Sequence, residues 1–130
     1  EGVSVLGGEP FEQADALADL CARVRAAGLS VMIYTGYTLA ELRERNDPAT
    51  DAALAATDLL VDGRFVQELY ETGRRWIGSK NQVLHFLSSR YSPDDPRFRE
   101  ANTVEVRIKN GEVIVTGWPT VGRPLVRKSP

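Results

Sequence analysis

Two glycines and a carboxylate follow the first apolar segment of the chain. Gly7, Gly8 and Glu9 come directly after residues 3–6 and directly before a helical pattern. Two glycines let the backbone approach a ligand closely, and an acid at the mouth of a helix stands where the helix would otherwise attract an anion. The pattern disfavours a phosphate site and favours a ligand that carries an ammonium or sulfonium charge.

Polar residues also end the next two apolar segments. Thr35 and Gly36 follow residues 29–34, and Asp62 closes the segment that starts at residue 58. Taken singly, Asp62 fits a turn, Thr35 fits a simple strand end, and Glu9 fits a residue that only complements a helix dipole. In a parallel sheet the carboxyl ends of the strands share one edge, where ligands bind, and this favours a common site.

The elements that must position these residues alternate between strand and helix patterns. Strands are predicted over residues 3–6, 29–34 and 58–62, in a β-α-β-α-β order that indicates an α/β fold with a parallel sheet. The predicted helices cover residues 13–28, the stretch opened by the Thr38–Glu41 capping box, about 50–57, 65–70 and 81–90. Residues 104–115 predict a β-hairpin that turns at Asn110-Gly111, pairing Lys109 with Glu112 and Ile108 with Val113.

Composition limits the partners. The chain has 130 residues, enough for one domain, with 16 basic and 18 acidic residues and a net charge of -2, which predicts neither a nucleic-acid nor a membrane partner. Its one cysteine, Cys21, and the lack of a leader pattern predict a reducing, cytoplasmic setting. Because the chain starts with Glu1 and its one methionine is Met32, we expect it to be a piece of a longer protein.

Four motifs occur in order along the chain: VLGGEPF (5–11), YTGYT (34–38), DLLVDG (58–63) and GSKNQ (78–82). Together they resemble the motifs of radical SAM activating enzymes, and among these enzymes the activases of anaerobic ribonucleotide reductases. The resemblance covers about residues 2–118, and residues 119–130 are expected to form a loose basic tail. It implies a partial (β/α) barrel of parallel strands with a C-terminal β-hairpin.

The resemblance also implies a chemistry. In this family a [4Fe-4S] cluster delivers an electron to S-adenosylmethionine, and the resulting 5′-deoxyadenosyl radical takes a hydrogen atom from a glycine of the partner, a glycyl radical enzyme. Related activases use matching strand ends for a monovalent cation, so two roles stay open for Thr35 and Asp62. The cofactor-binding residues that the resemblance implies are Gly7, Gly8, Glu9, Thr35, Gly36 and Asp62.

The chain departs from the family in one respect, because the CxxxCxxC segment that holds the cluster is absent. Cys21 lies on an inward helix face and is not expected to be a ligand, so we expect no catalytic residue here and no activity of the chain alone. Lone His85 is expected to be a structural or surface residue. The alternatives to a piece of an activase are a non-catalytic binding module and an ordinary nucleotide-binding α/β domain.

A piece of a barrel lacks some of the barrel's strands, which would leave one edge of its sheet unpaired. This predicts self-association through that edge.

Overall fold

A four-stranded sheet forms the body of the protein. The computed structural model of the chain describes residues 1–98 and 104–117. The strands lie in the order β1 (Gly2–Val5), β2 (Ser30–Tyr34), β3 (Leu59–Asp62) and β4 (Val83–Phe86). β1, β2 and β3 are parallel to their neighbours, and β4 runs antiparallel to β3. The carboxyl ends of the first three strands therefore share one edge with the segment that leads into β4.

Three helices connect the parallel strands, and their ends follow from local sequence. α1 (Ala14–Ala26) ends two residues before Gly28, whose φ of 79° is the left-handed conformation that closes many helices. α2 (Leu39–Glu44) opens with the predicted capping box of Thr38 and Glu41. α3 (Pro48–Ala55) is capped by Asp47, whose carboxylate accepts the N–H of Thr50.

The two faces of the sheet carry separate apolar clusters, because alternate residues of a strand point to opposite faces. On the helix side the buried residues are Phe11, Leu17, Cys21, Val31, Ile33, Leu39, Leu42, Ala53 and Leu60. On the other side they are Met32, Leu59, Val61 and Ile77, with Trp76, Phe86, Tyr91 and Phe98 packed around them. Both faces of β2 and β3 are thus covered, which explains why their sequences are almost continuously apolar.

The prediction of a helix over residues 81–90 is wrong. Val83–Phe86 forms β4, and its antiparallel direction makes the sheet mixed rather than parallel. The helix predicted over 65–70 is also wrong, since only the short 3-10 turn Gln67–Leu69 forms there. A short apolar run fits either element, so periodicity alone does not separate a strand from a helix at these positions. The α/β class is confirmed, and the partial barrel stays a prediction.

The C-terminal hairpin is confirmed in its turn and register. β5 (Val104–Lys109) pairs antiparallel with β6 (Glu112–Gly117), with Lys109 opposite Glu112 and Ile108 opposite Val113. Asn110 and Gly111 have φ angles of 52° and 77°, as a two-residue turn with the twist of a hairpin requires. The predicted basic tail, residues 119–130, lies outside the described residues.

β1 lies at one edge of the sheet. Within residues 1–98 and 104–117 it pairs with β2 alone, so its other side offers unpaired backbone groups. The predicted self-association through such an edge stays a prediction. No helix in the described part of the chain is long and apolar enough to cross a membrane.

A buried carboxylate fixes the start of the two central strands. Asp58 is 1% exposed, and its Oδ2 accepts the N–H of Val31 at 2.8 Å while Oδ1 accepts the hydroxyl of Ser88 at 2.6 Å. Nη1 of Arg25 lies 3.9 Å from the same Oδ1. Since a buried carboxylate is costly unless it is paired and hydrogen-bonded, these three contacts hold Asp58 in place and align β2 with β3.

We expect Asp58→Ala to lower the free energy of unfolding by about 3 kcal/mol, because the N–H of Val31 and the hydroxyl of Ser88 lose a buried acceptor. Chemical denaturation measures this change. Asp51→Ala, at an exposed position of α3, is the matched control and should change stability by less than about 0.5 kcal/mol. An equal effect of the two substitutions would contradict the role of Asp58.

Cys21 is a core residue, as predicted. It is 0% exposed, and burial raises the pKa of its thiol above the ordinary value. Because the thiolate is the reactive form, we expect Cys21 to resist iodoacetamide in the folded protein and to react once denaturant is added. Mass spectrometry of the peptide that contains Cys21 measures the modified fraction. Rapid modification under native conditions would show that this helix face is not packed.

Candidate functional site

A cavity of about 340 Å³, the main cavity, opens where the three parallel strands end. Its size lies at the lower end of the range for small-molecule sites, about 300–1,000 Å³. The residues that follow β1 and end β2 supply one wall: Leu6, Gly7, Gly8, Tyr34, Thr35 and Gly36. The residues that follow β3 and precede β4 supply the other: Gly63, Phe65, Gly78 and Gln82.

Glu9 joins the first two strand ends. Its Oε1 accepts the hydroxyl of Thr35 and the N–H of Gly36, each at 2.8 Å, and its Oε2 accepts the N–H of Phe11 at 2.9 Å. Thr35 in turn accepts the N–H of Tyr37 at 3.2 Å. A carboxylate has about four acceptor sites, so roughly one remains. All three donors are neutral groups, and the negative charge of Glu9 therefore stays uncompensated by them.

Gly7 and Gly8 have φ angles of 82° and 58°, in the left-handed region that favours glycine. They line the main cavity and also a smaller one of about 250 Å³, whose wall includes Glu9. A Cβ built on either glycine would meet no atom within 4 Å, so the backbone conformation rather than crowding requires glycine there. This turn presents bare backbone to both cavities.

Asp62 is buried at the end of β3 and is directed away from the main cavity. Its Oδ2 accepts the N–H of Leu39 at 2.8 Å and lies 2.8 Å from Nε2 of His85. A hydrogen bond therefore joins the Asp62 carboxyl to the His85 imidazole. Asp62 thereby anchors the start of α2, and the N–H of Gly63 donates to the carbonyl of Tyr37 at 2.9 Å.

Gln82 holds the opposite wall, and sequence reasoning assigned it no role of its own. Its Oε1 accepts the N–H groups of Gly78 at 2.9 Å and Ser79 at 3.1 Å, and its Nε2 donates to the carbonyl of Gly63 at 2.9 Å. Only 8% of Gln82 is exposed. The one signal in the sequence was its place in the GSKNQ motif, which did not distinguish a binding residue from a bracing one.

A second brace lies outside the cavity, between the first loop and α2. The hydroxyl of Tyr37 donates to Glu12, and the Arg45 guanidinium donates to the carbonyl of Phe11 at 3.0 Å and lies 4.3 Å from the centre of the Tyr37 ring. The hydrogen bond from Tyr37 lowers the pKa of the Glu12 carboxyl, and the same bond raises the pKa of the Tyr37 phenol. These contacts stiffen the loop that carries Thr35 and Gly36.

The structure brings most of the predicted site residues together. Four of them line the main cavity, namely Gly7, Gly8, Thr35 and Gly36. Glu9 binds two of these four, whereas Asp62 does not line this cavity and binds Leu39 and His85. Among the residues that the structure describes, no group of three His, Cys, Asp or Glu side chains has the arrangement of a metal site.

One family and several curated proteins are similar to this chain in sequence. Residues 1–85 match the protein family described as "4Fe-4S single cluster domain". The anaerobic ribonucleoside-triphosphate reductase-activating protein of Vibrio cholerae is 42% identical over 88 residues, which cover 65% of this chain and 54% of that protein. The proteins of the same name from Escherichia coli K12 and Haemophilus influenzae are 36% and 33% identical, with 67% and 65% of this chain and 56% and 55% of the relative covered.

The chain thus spans about half the length of the curated relatives that it matches. No solved structure matches it. The family match covers the four-stranded sheet up to His85 and ends before the C-terminal hairpin, so it includes all of the strand ends that form the main cavity. The chain therefore belongs to the 4Fe-4S single cluster domain family, and it is close in sequence to the activating proteins of anaerobic ribonucleoside-triphosphate reductase.

Proposed function

We propose that the strand ends around the main cavity form the S-adenosylmethionine-binding part of a radical SAM activase. The four-stranded sheet would then be part of a partial (β/α) barrel. The observation that supports this most directly is the Glu9 carboxylate: Glu9 directly follows the Gly7-Gly8 turn and accepts hydrogen bonds from Thr35 and Gly36, and both turns line one wall of the main cavity. The whole protein would install a glycyl radical on an anaerobic ribonucleotide reductase. Its relatives carry the corresponding name, and this supports the choice of partner.

The cavity has properties that suit S-adenosylmethionine. The ligand carries a sulfonium and an ammonium charge, and Glu9 supplies a negative charge that its neutral donors leave uncompensated. Gly7 and Gly8 expose backbone groups that can bind the amino-acid end of a ligand. We propose that Gly7, Gly8, Glu9, Thr35 and Gly36 hold this end, with Asp62 supporting the same edge from behind.

The iron-sulfur cluster, in contrast, does not fit the residues present. A [4Fe-4S] cluster needs three or four cysteine ligands, and the chain has Cys21 alone, which is buried in the core. When bound beside a reduced cluster, S-adenosylmethionine supplies a 5′-deoxyadenosyl radical in this family. We propose that the cluster ligands come from a part of the protein outside this chain, and that the chain by itself binds the cofactor without cleaving it.

The rival function is a binding module that keeps the cradle and never meets a cluster. Both functions use the same cavity and the same charge, and they differ in whether an iron-sulfur cluster stands beside the cavity. A nucleotide-binding domain is less well supported, because an acid stands at the end of β1 where a phosphate would need a positive field.

The two functions differ in what precedes Glu1 in the gene. The activase predicts a CxxxCxxC motif there, and it predicts that the longer polypeptide, reconstituted anaerobically with iron and sulfide, shows the absorption spectrum of a [4Fe-4S] cluster. Substitution of the three motif cysteines by alanine is the matched control and should abolish that spectrum. A complete upstream sequence without such cysteines would favour the binding module.

We expect Glu9→Gln to weaken S-adenosylmethionine binding by about 10- to 100-fold, the equivalent of losing a charge-assisted hydrogen bond of about 1.5–3 kcal/mol. The amide removes the negative charge and keeps only one acceptor oxygen, so its NH2 group stands against either the Thr35 and Gly36 donors or the N–H of Phe11. Isothermal titration calorimetry measures the affinity. Glu44→Gln, at an exposed position of α2, controls for loss of charge and should bind like the unmodified protein. Unchanged affinity of Glu9→Gln would remove the role assigned to Glu9.

A further inference from the structure

We propose that the hydroxyl of Tyr34 is a ligand contact of the main cavity, where it donates a hydrogen bond to an oxygen or nitrogen atom of bound S-adenosylmethionine. The inference rests on the proposed function and adds a residue that neither the four motifs nor the predicted site singled out. Tyr34 is the last residue of β2 and lines the cavity directly before Thr35.

The fold determines how the Tyr34 ring is held. Along β2 the side chains alternate, so Tyr34 shares a face with Met32, opposite to the helix-side residue Ile33. Its ring packs against the cluster that contains Val61 and Ile77. These apolar contacts hold the ring, and Tyr34 is at the same time one of the residues that line the cavity.

The hydroxyl has no hydrogen-bond partner in the described part of the chain. Buried tyrosine hydroxyls usually find one, and the other phenols near this sheet do: Tyr37 donates to Glu12, and Tyr91 donates to Ser30 at 2.9 Å. Tyr34 is half-buried and lines the cavity, so a ligand or water inside that cavity is the partner nearest at hand for its hydroxyl.

The protonation state of the hydroxyl allows this role. Burial raises the pKa of Tyr34 to about 12, so the phenol keeps its proton throughout the neutral range and has an O–H to donate. The ligand atom that receives this hydrogen bond is an acceptor. S-adenosylmethionine offers such atoms in its carboxylate, its ribose hydroxyls and its adenine ring.

The test compares two isosteric substitutions in the longest polypeptide that contains this chain. Tyr34→Phe removes the cavity hydroxyl and keeps the ring. Tyr91→Phe removes a hydroxyl that binds Ser30 and does not line the main cavity, so it is the matched control. Calorimetric titration with S-adenosylmethionine should show about two- to tenfold weaker binding for Tyr34→Phe and unchanged binding for Tyr91→Phe.

Thermal unfolding separates a ligand contact from a structural role. For Tyr34→Phe we expect the unfolding temperature without ligand to stay unchanged and the rise produced by S-adenosylmethionine to become smaller. A lower unfolding temperature without ligand, combined with normal affinity, would overturn the inference. Titration with 5′-methylthioadenosine locates the acceptor: a similar loss places it in the nucleoside half, and no loss places it in the methionyl half.

The two proposals fail in different ways. If the unmodified protein binds S-adenosylmethionine and Tyr34→Phe binds it equally well, the role of Tyr34 is wrong and the proposed function stands. If the unmodified, cluster-loaded protein does not bind S-adenosylmethionine at all, the proposed function fails and the inference about Tyr34 fails with it.

Discussion

The site depends on one carboxylate that takes the place of a strand-to-strand hydrogen bond. Beyond Val5 and Tyr34 the parallel ladder of β1 and β2 has ended, and nothing in the backbone alone would keep the two exits at a fixed distance. Glu9 restores the link, because its two oxygens accept from Thr35 and Gly36 on one side and from Phe11 on its own side. Hydrogen bonds to a charged acceptor are the stronger kind, so one side chain can fix both turns.

The strand β3 repeats this solution at both of its ends. Asp58 precedes it and accepts the N–H of Val31, while Asp62 ends it and accepts the N–H of Leu39. Both acids are nearly inaccessible to water, a state that is costly unless several donors surround the charge. Each one orders a neighbouring element in return. The central strand is therefore connected to β2 at its start and to α2 at its end.

Local patterns in the sequence were sufficient for the part of the fold that surrounds Glu9. The order of strands and helices from β1 to β3, the Thr38 capping box and, farther along the chain, the hairpin register at Asn110-Gly111 depend on near neighbours and were predicted correctly. β4 was not, because the direction of Val83–Phe86 is set by pairing with β3, a contact between residues distant in the chain. The four motifs predicted a site at one edge of the sheet, and four of the six predicted site residues line one cavity there.

What the sequence did not reveal is how polar groups divide their roles at that edge. A carboxylate beside glycines fits a ligand contact and a structural contact equally well. The two roles differ in whether donors of the protein itself occupy the carboxylate oxygens. Here Glu9, Asp62 and Gln82 bind backbone groups of the protein itself. The contacts of Glu9 and Gln82 hold the backbone of Gly36, Gly63 and Gly78 and the hydroxyl of Thr35 at the cavity.

The hydrogen bonds that Glu9 accepts from neutral groups of the protein affect which kind of ligand fits the site. A charge held by neutral donors keeps its long-range field, while its position is fixed before any ligand arrives. Glu9 is such a charge, and the nearby Arg45 guanidinium interacts with Glu12 instead. Under the proposed function, an approaching cationic group would meet a negative group that is already ordered, so little free energy would be needed to organise it. The same arrangement would disfavour an anionic group beside Glu9.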